Sequence, residues 1–468
     1  MRIVCGVMDP HMTSDQFRAY GKELIDWIAD YWDGVDERPI LPAVSPGQIR
    51  SMLPANAPET GETFDEIISD LDRIVMPGLT HWQSPGWFAY FPANASFPSI
   101  LGELVSAGLG QQGMLWATSP ATTEVESHVL DWLVDLLGLP THWKTTDRGG
   151  GVIQMSASDS THTALVVARQ RSTAPASSLV AYTSSQAHSS VEKGARVAGF
   201  EHIRLVDVDS TFAMDVETLE RVITADVAAG LTPAFVCSAV GTTGTTAIDD
   251  TRRIGEIARR HDMWHHVDAA YAGSAMICEE FRRYQPGLDL ADSYTFNPHK
   301  WMFTNFDCSV FYVSDRKPLI ETLSILPPYL QNAATDSGAV VDYRDWHVPL
   351  GRRFRALKLW FVLRHYGAEG IRSIIRKHVA LARDLEGRIV SHPSLELVAP
   401  TPFALVSFAH TGGDDRTNEL AGAINRTGHS YVTPSRIGDR AFIRVSIGQT
   451  HTEAEHVERL WATIAAYA

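Results

Sequence analysis

Between about residue 138 and residue 315, short apolar segments alternate with segments of helical periodicity. The apolar segments are LVAYTS, HIRLVDV, PAFVCSAV, MWHHVDAA, DSYTFN and CSVFYV, and patterns such as TALVVARQRS and DTRRIGEIARRH lie between them. This alternation predicts an α/β domain around a mainly parallel sheet. Because ligands bind at the carboxyl ends of the strands in such sheets, polar residues that directly follow a strand are the first candidates for a functional site.

The length of 468 residues exceeds what one hydrophobic core usually serves, so more than one packed unit is expected. We expect an N-terminal helical segment over residues 1–95, a large α/β domain over 96–354 and a small α+β domain over 355–468. The first part has helical patterns after Ser14, interpreted as an N-cap, and around TFDEIISDLDRIVM. It has little core of its own, so it must pack on the large domain or on another subunit.

The composition excludes several classes of partner. The formal charge is -15, with acidic residues scattered along the chain, which argues against binding to nucleic acid or to an anionic membrane surface. No apolar run reaches the roughly 18 residues of a membrane span, and the first twelve residues are too short for a signal peptide. Four widely spaced cysteines without a CxxC motif fit a reduced, cytoplasmic protein.

Two residues at predicted strand ends indicate chemistry. The chain has only seven lysines against thirty-three arginines, yet Lys300 stands in FNPHKW directly after a strand. Only a lysine amine can be deprotonated and form an imine with an aldehyde. Asp268 follows another strand, in HHVDAAYAGS; alone it reads as an aspartate that caps a turn. An amine and a carboxylate together suit a pyridine aldehyde cofactor, whose ring nitrogen the carboxylate keeps protonated.

A phosphate site is predicted in GGGVIQMSASDSTHTALVVARQ, where a strand and small hydroxyl residues precede a helix. Ser156, Ala157 and Ser158 would present backbone N–H groups at the helix N-terminus, although serine-rich caps are also common without a ligand. His188 and Thr243 follow strands as well. His188 could stack on a flat cofactor ring, and Thr243 could contact a hydroxyl group of that ring. Each of the two is also explained as an ordinary polar turn residue.

Four motifs together carry a family resemblance: QAHSSVEKGA, HVDAAYAGS, NPHKW and PLGRRFRALKLW. They resemble the pyridoxal 5'-phosphate (PLP)-dependent group II amino acid decarboxylases, most closely the aromatic-L-amino-acid decarboxylases, from about residue 14 to the C-terminus. The resemblance implies the PLP-dependent transferase-like fold, which is the aspartate aminotransferase fold type I. It also implies a homodimer with active sites at the subunit interface, where the N-terminal segment packs on the partner.

The resemblance also implies roles for single residues. Lys300 would bind the cofactor covalently, Asp268 would pair with its ring nitrogen, and His188 would stack on its ring. The remaining cofactor contacts implied in this way are Ala157, Ser158 and Asn297 at the phosphate, His299 beside the lysine, and Thr243 and Ala270 around the ring. No metal is expected, since His261 and His265 in HDMWHHVD lack the glutamate of a zinc-hydrolase motif.

The segment LPPYLQNAATDSGAVVDYRDW is polar and not periodic, which is typical of a loop. A tyrosine there is usually a surface residue, but the resemblance implies that Tyr329 protonates the substrate carbon after CO2 leaves. Relatives with phenylalanine at that place tend towards oxidative deamination to an aldehyde. The presence of both Tyr329 and His188 therefore favours simple decarboxylation. The alternatives are an aldehyde-forming synthase, a PLP-dependent decarboxylase with a non-aromatic substrate, a transaminase and an inactive homologue.

The segment HWQSPGWFAYFPANASFP is rich in aromatic residues and has no lysine or arginine to pair with an acidic side chain of a substrate. Core packing explains part of it; the resemblance places it in the substrate pocket. The predicted substrate contacts are Trp82, Tyr90, Phe91, Pro92, Ala93, Gln112, Met114, His188 and Gly351. Gly351 is small enough to admit an indole, whereas Ala93, Gln112 and Met114 depart from the family pattern. The choice among tryptophan, tyrosine, phenylalanine and DOPA stays open.

Overall fold

The computed structural model describes residues 11–325 and 340–468. Its centre is a seven-stranded sheet in the order β1-β7-β6-β5-β4-β2-β3. The strands are β1 Gly150–Gln154, β2 Leu179–Ser184, β3 His202–Val206, β4 Thr232–Ala239, β5 Trp264–Asp268, β6 Ser293–Phe296 and β7 Ser309–Val313. Six of the seven strands run parallel to one another, and β7 runs antiparallel to both of its neighbours, β1 and β6. The strands predicted from the apolar segments are therefore present, and they form the mainly parallel sheet that was expected.

Helices cover this sheet because their apolar faces pack on strands that are buried on both sides. Up to residue 325 the α-helices are α1 Ser14–Gly34, α2 Gln48–Met52, α3 Phe64–Asp70, α4 Phe97–Leu109, α5 Pro120–Leu137, α6 Ala157–Arg171, α7 Ser190–Val197, α8 Val216–Ala228, α9 Thr251–Arg260, α10 Pro298–Trp301 and α11 Lys317–Leu323. The cap of α1 is Thr13 and not Ser14, because Thr13 and Gln16 form a reciprocal capping box.

The C-terminal part is the predicted smaller α+β unit. Its four antiparallel strands, in the order β10-β11-β9-β8, are β8 Leu395–Leu397, β9 Leu405–His410, β10 Thr433–Ile437 and β11 Arg440–Ser446. Its helices are α12 Ala356–Val390, α13 Asp414–Arg426 and α14 Ala454–Tyr467. One apolar core joins this unit to the large domain, since Leu130 and Tyr294 share it with Leu359 and Val406. The domain boundary near residue 354 therefore stays a prediction.

Helix α1, in the N-terminal segment, buries little of its surface within one chain. Trp32 is the buried residue of α1, while apolar side chains such as Phe17 and Ile25 are exposed. Helix α4 likewise exposes Leu104 and Leu109. In the part of the chain that the structure describes, no helix combines the length and apolar character needed to cross a membrane. The same residues contain no cluster of three or more histidine, cysteine or acidic side chains suited to a metal ion.

Candidate active site

A cavity of about 190 Å³ opens at the carboxyl ends of β4, β5 and β6, opposite the N-terminus of α6. The sheet topology produces this arrangement, because parallel strands end at one edge and the segments after them meet there. The predicted residues that line the cavity are Phe91, Ala157, Ser158, His188, Thr243, Asp268, Ala270, Asn297, His299 and Lys300. All the predicted cofactor contacts are thus brought together, although they are spread over more than 140 positions of the chain.

Lys300 lies in the short helix α10, where its backbone N–H donates to the Asn297 carbonyl over 2.9 Å. Its side chain is partly buried, and the amine stands 5.2 Å from the centroid of the Phe91 ring. Burial lowers the pKa of the Lys300 amine, the Asp268 carboxylate acts in the opposite sense, and Arg444 lowers the pKa further. A lysine with a lowered pKa has a larger neutral, nucleophilic fraction at neutral pH.

Asp268 is the last residue of β5, and its position is fixed from both sides. Its carbonyl oxygen accepts from the Val240 backbone N–H over 2.8 Å, and its Oδ1 accepts from the Ala270 backbone N–H over 2.9 Å. Among the described residues, nothing donates a hydrogen bond to the second carboxylate oxygen. An oriented carboxylate with one free oxygen can hold a protonated nitrogen in the cavity.

The N-terminus of α6 lines the cavity at the place where the sequence predicts a phosphate site. Ser156 caps the helix by accepting from the Asp159 backbone N–H, so the N–H groups of Ala157 and Ser158 have no partner within the helix. Across the cavity, the Asn297 Oδ1 atom accepts from the Ser309 hydroxyl over 2.6 Å. That bond orients the Asn297 carboxamide, so that its NH2 group is the part left to donate.

Two histidines line the cavity, and both have one defined tautomer. His188 Nδ1 accepts from the Ser190 backbone N–H over 3.2 Å, and His299 Nδ1 accepts from the Cys308 backbone N–H over 3.0 Å. Each neutral ring therefore carries its proton on Nε2. Burial lowers the pKa of His188, and burial with the nearby Lys300 lowers the pKa of His299 to about 3. Both imidazoles are neutral hydrogen-bond donors at pH 7.

The predicted substrate contacts are only partly brought to this cavity within one chain. Phe91 and His188 line it, whereas the described lining does not include Trp82, Tyr90, Pro92, Ala93, Gln112, Met114 or Gly351. Trp82 and Tyr90 stack on each other with ring centroids 5.7 Å apart. Gln112 and Gly351 are neighbours, because a Cβ atom on Gly351 would lie 3.3 Å from the Gln112 Nε2 atom. Tyr329 lies outside the described residues.

Arg444, a buried arginine on β11, is not among the residues predicted from the sequence. Its guanidinium carbon lies 5.1 Å from the centroid of the Phe91 ring, and its nitrogens donate to the carbonyls of Gly244 and Tyr90, each over 3.2 Å. No described carboxylate forms an ion pair with it, and burial lowers its pKa to about 10. A single charge inside the apolar strand AFIRVSIG was the signal that could have identified it.

The zinc alternative finds no support in the surroundings of the two histidines. His265 is buried in β5, with Nε2 2.8 Å from the Ser238 hydroxyl, and His261 follows the end of α9. By contrast, the donors around the cavity match PLP group by group. The Lys300 amine suits its aldehyde, the Asp268 carboxylate its ring nitrogen, and the N–H groups at the α6 N-terminus its phosphate.

A mainly parallel sheet with this lysine, aspartate and anion site at its strand ends defines a fold-type-I PLP enzyme. The family model described as pyridoxal-dependent decarboxylase conserved domain matches residues 46–411. The chain belongs to this family and is a PLP-dependent carboxy-lyase, which confirms the family, the fold and the cofactor predicted from the motifs.

Individual relatives match over nearly the whole chain. Phenylacetaldehyde synthase of Arabidopsis thaliana is 43% identical over 97% of this chain and 96% of its own length. Aromatic-L-amino-acid decarboxylase of Cavia porcellus is 42% identical over 97% of each chain. The crystal structure of Oryza sativa TDC with PLP and tryptamine has a TM-score of 0.95 at 38% identity, covering 98% of each chain.

Proposed function

We propose that this enzyme decarboxylates an aromatic L-amino acid to the corresponding amine and CO2. The observation that carries the proposal is the single cavity in which Lys300, Asp268 and His188 meet the anion site at the N-terminus of α6, with the Phe91 ring as a wall. An apolar aromatic wall favours a substrate with an aromatic ring. Relatives named for aromatic amino acid decarboxylation and phenylacetaldehyde synthesis support the same substrate class.

When bound, PLP supplies an electron-accepting ring beside the substrate. The Lys300 amine would hold the cofactor aldehyde, and the Asp268 carboxylate would keep the ring nitrogen protonated, because an anionic partner favours the protonated form. His188 stacks on the ring as a neutral imidazole. The phosphate contacts are Ala157, Ser158 and Asn297, and the remaining contacts are Thr243, Ala270 and His299.

Arg444 has a place in this scheme that its environment supports. A buried guanidinium without an acidic partner among the described residues is available to an anion, and the substrate brings one in its α-carboxylate. The Phe91 ring, close to both Arg444 and Lys300, offers that carboxylate no hydrogen bond. We therefore assign the substrate carboxylate to the space between these side chains.

The ring of the substrate would lie against the aromatic segment. This pocket would contain Trp82, Tyr90, Phe91, Pro92 and Ala93 of one subunit and Gln112, Met114 and Gly351 of its partner. The fixed pairing of Gln112 with Arg352, whose backbone N–H donates to Gln112 Oε1 over 2.7 Å, supports a defined surface at this place. Tryptophan, tyrosine, phenylalanine and DOPA are the candidate substrates.

A panel of aromatic and acidic L-amino acids, with products identified by mass spectrometry, tests the function. We expect amine and CO2 from at least one aromatic substrate, and loss of turnover in Lys300→Ala. The matched control is Lys317→Ala, which removes a lysine that is exposed on α11 and should leave turnover unchanged. Turnover of acidic substrates alone would contradict the proposal.

An aldehyde product is the second candidate, because a phenylacetaldehyde synthase is among the most similar relatives. We assign the protonation of the substrate carbon to Tyr329, and this proton transfer directs the reaction to the amine. Tyr329→Phe should therefore shift the product from amine to aldehyde, with O2 consumed, which an oxygen electrode measures. If the unchanged enzyme already forms aldehyde and consumes O2, Tyr329 is not the deciding proton donor.

We also propose that the enzyme is a cytoplasmic homodimer. Exposed apolar side chains on α1 and α4, among them Phe17 and Leu104, form a surface that a second copy would cover. The described cysteines are free and buried, which supports a reducing compartment. Leu104→Glu should give monomers in sedimentation, whereas the control Val390→Glu, at an exposed apolar position on α12, should not. A monomeric, fully active unchanged protein would refute the dimer.

A further inference from the structure

A column of aromatic rings runs from the cavity into the small domain. The rings of Phe91 and Tyr271 stack with centroids 4.0 Å apart, and those of Tyr271 and Trp301 with centroids 4.8 Å apart. Trp301 then donates through Nε1 to His378 Nδ1 over 3.0 Å, with the two rings within 14° of parallel. Tyr271, Trp301 and His378 are almost completely buried, so the column is a fixed part of the interior.

The column connects four separate parts of the chain. Phe91 belongs to the aromatic segment before α4, Tyr271 follows Asp268 by three residues, Trp301 is adjacent to Lys300, and His378 lies on α12. Its first ring lies near two cations, with the Lys300 amine 5.2 Å and the Arg444 guanidinium 5.1 Å from its centroid. An aromatic face attracts a cation at this distance, so the position of the Phe91 ring affects the protonated form of Lys300.

We propose that Tyr271, Trp301 and His378 are positioning residues that hold the Phe91 ring beside the Lys300 amine. Phe91 lies in a segment without helix or strand, where the backbone alone would leave its ring free to turn. Stacking on Tyr271 removes that freedom, and the hydrogen bond from Trp301 to His378 anchors the column at its far end. The proposal rests on the proposed function only in treating this cavity as the reaction site.

The other charged and titratable groups at Lys300 are Asp268, Arg444, His188 and His299. None of them is part of the column. A change at His378, which does not line the cavity, reaches Lys300 through Trp301, either along the stacked rings or through the peptide bond that joins Trp301 to Lys300. Phe91→Leu separates the two routes, because it removes the ring beside the amine and leaves that peptide bond unchanged. His378→Leu removes the acceptor of the Trp301 N–H, whereas His378→Asn can keep an acceptor at the same place and serves as the matched control.

The test measures acetylation of Lys300 by acetic anhydride across pH in the full-length protein freed of cofactor, with exposed Lys193 as internal reference. We expect His378→Leu to shift the Lys300 profile to lower pH and to raise its labelling at fixed pH by about threefold, since the ammonium loses the favourable ring contact. His378→Asn should match the unchanged protein. An unshifted profile in a folded His378→Leu protein would overturn the proposal, even if thermal stability falls.

If His378→Leu does not fold, Tyr271→Met and Tyr271→Phe replace the pair, because only the second keeps a stacked ring. Phe91→Leu adds a direct check. If this change leaves the Lys300 labelling profile unchanged, the Phe91 ring does not affect the Lys300 amine, and the proposal is wrong. These measurements use neither substrate nor cofactor. A negative result in the amino acid panel therefore leaves this proposal standing, and an unshifted Lys300 profile leaves the proposed function standing.

Discussion

The Glu126 carboxylate and the Arg352 guanidinium form an ion pair from which solvent is almost completely excluded, with side chains 0% and 1% exposed. Both side chains also form hydrogen bonds to the backbone of β1, at the edge of the sheet. Glu126 Oε1 accepts from the Ile153 N–H over 2.8 Å, and Arg352 Nη2 donates to the Ile153 carbonyl over 3.3 Å. Because β1 is an edge strand, one of its sides has no neighbouring strand to form hydrogen bonds with. The two side chains bond to the Ile153 N–H and carbonyl instead, close to Ser156 at the N-terminus of α6.

Breaking this pair should destabilise the protein strongly. Glu126→Gln or Arg352→Met alone leaves a buried charged or polar partner without compensation, which costs about 3–5 kcal/mol of unfolding free energy. The double variant Glu126→Gln with Arg352→Met should cost less than either single change, because no buried charge remains and the Gln amide oxygen can still accept from the Ile153 N–H. Denaturant unfolding measures all three. The exposed pair Arg253–Glu217 is the control, expected to contribute less than about 1 kcal/mol; additive single and double effects at Glu126 would contradict the prediction.

Cofactor retention should depend on the hydrogen bond from Ser309 to Asn297. Ser309→Ala removes the donor that orients the Asn297 carboxamide and leaves its buried oxygen without a partner. A lost hydrogen bond of this kind costs on the order of 1 kcal/mol, so the Kd for PLP should rise about fivefold. Titration of the cofactor-free protein, followed by tryptophan fluorescence, gives the Kd. Ser177→Ala, at an exposed position, should leave it unchanged; an equal Kd in both variants would remove Asn297 from the phosphate contacts.

The site could be predicted where its residues directly follow strands. Asp268, Asn297 and Lys300 stand within a few positions of apolar segments whose ends a parallel sheet must gather. Local sequence also located the helix N-terminus that is predicted to bind the phosphate, because the capping serine and the helix pattern are contiguous. The family resemblance supplied the roles of these residues, which spacing alone left open.

Contacts between distant parts of the chain could not be predicted in this way. Arg444 reaches Tyr90 across 354 positions, and Arg352 meets Glu126 across 226. Arg444 lies in a segment that reads as an ordinary strand, and the packing of the small domain on the large one brings it next to Phe91. Arg352, within the predicted large domain, precedes a helix, and it meets Glu126 only once that domain has folded. The predicted contacts Gln112 and Gly351 lie outside the cavity lining of one chain, so their role depends on the proposed dimer.

Acid should destabilise the protein from about pH 6.5 downward, because several histidines are buried in the neutral form. Burial lowers the pKa of His265, His299, His347 and His378 to about 3 and that of His266 to about 4. The unfolded chain takes up these protons near the ordinary value of 6.5, so the stability present above that pH is lost as pH falls towards the folded values.

Two buried carboxyls work against this loss. Burial raises the pKa of Asp249 and of Asp292 to about 6, so the folded protein itself takes up these protons between about pH 6 and pH 4. Counting these seven groups alone, the unfolded chain near pH 5.5 binds roughly three protons more than the folded one, so their contribution to stability should fall by about 4 kcal/mol per pH unit. Denaturant unfolding at pH 7.5, 6.5, 5.5 and 5.0 measures this slope.

His265→Gln isolates one of these protons. The Gln amide can keep the contact that His265 Nε2 makes with the Ser238 hydroxyl, but it cannot be protonated. We expect the slope near pH 5.5 to decrease by about 1.4 kcal/mol per pH unit, with little change in stability at pH 7.5. His429→Gln, at an exposed position, is the control and should leave the slope as it is. An unchanged slope in His265→Gln would mean that His265 takes up its proton in the folded protein as well.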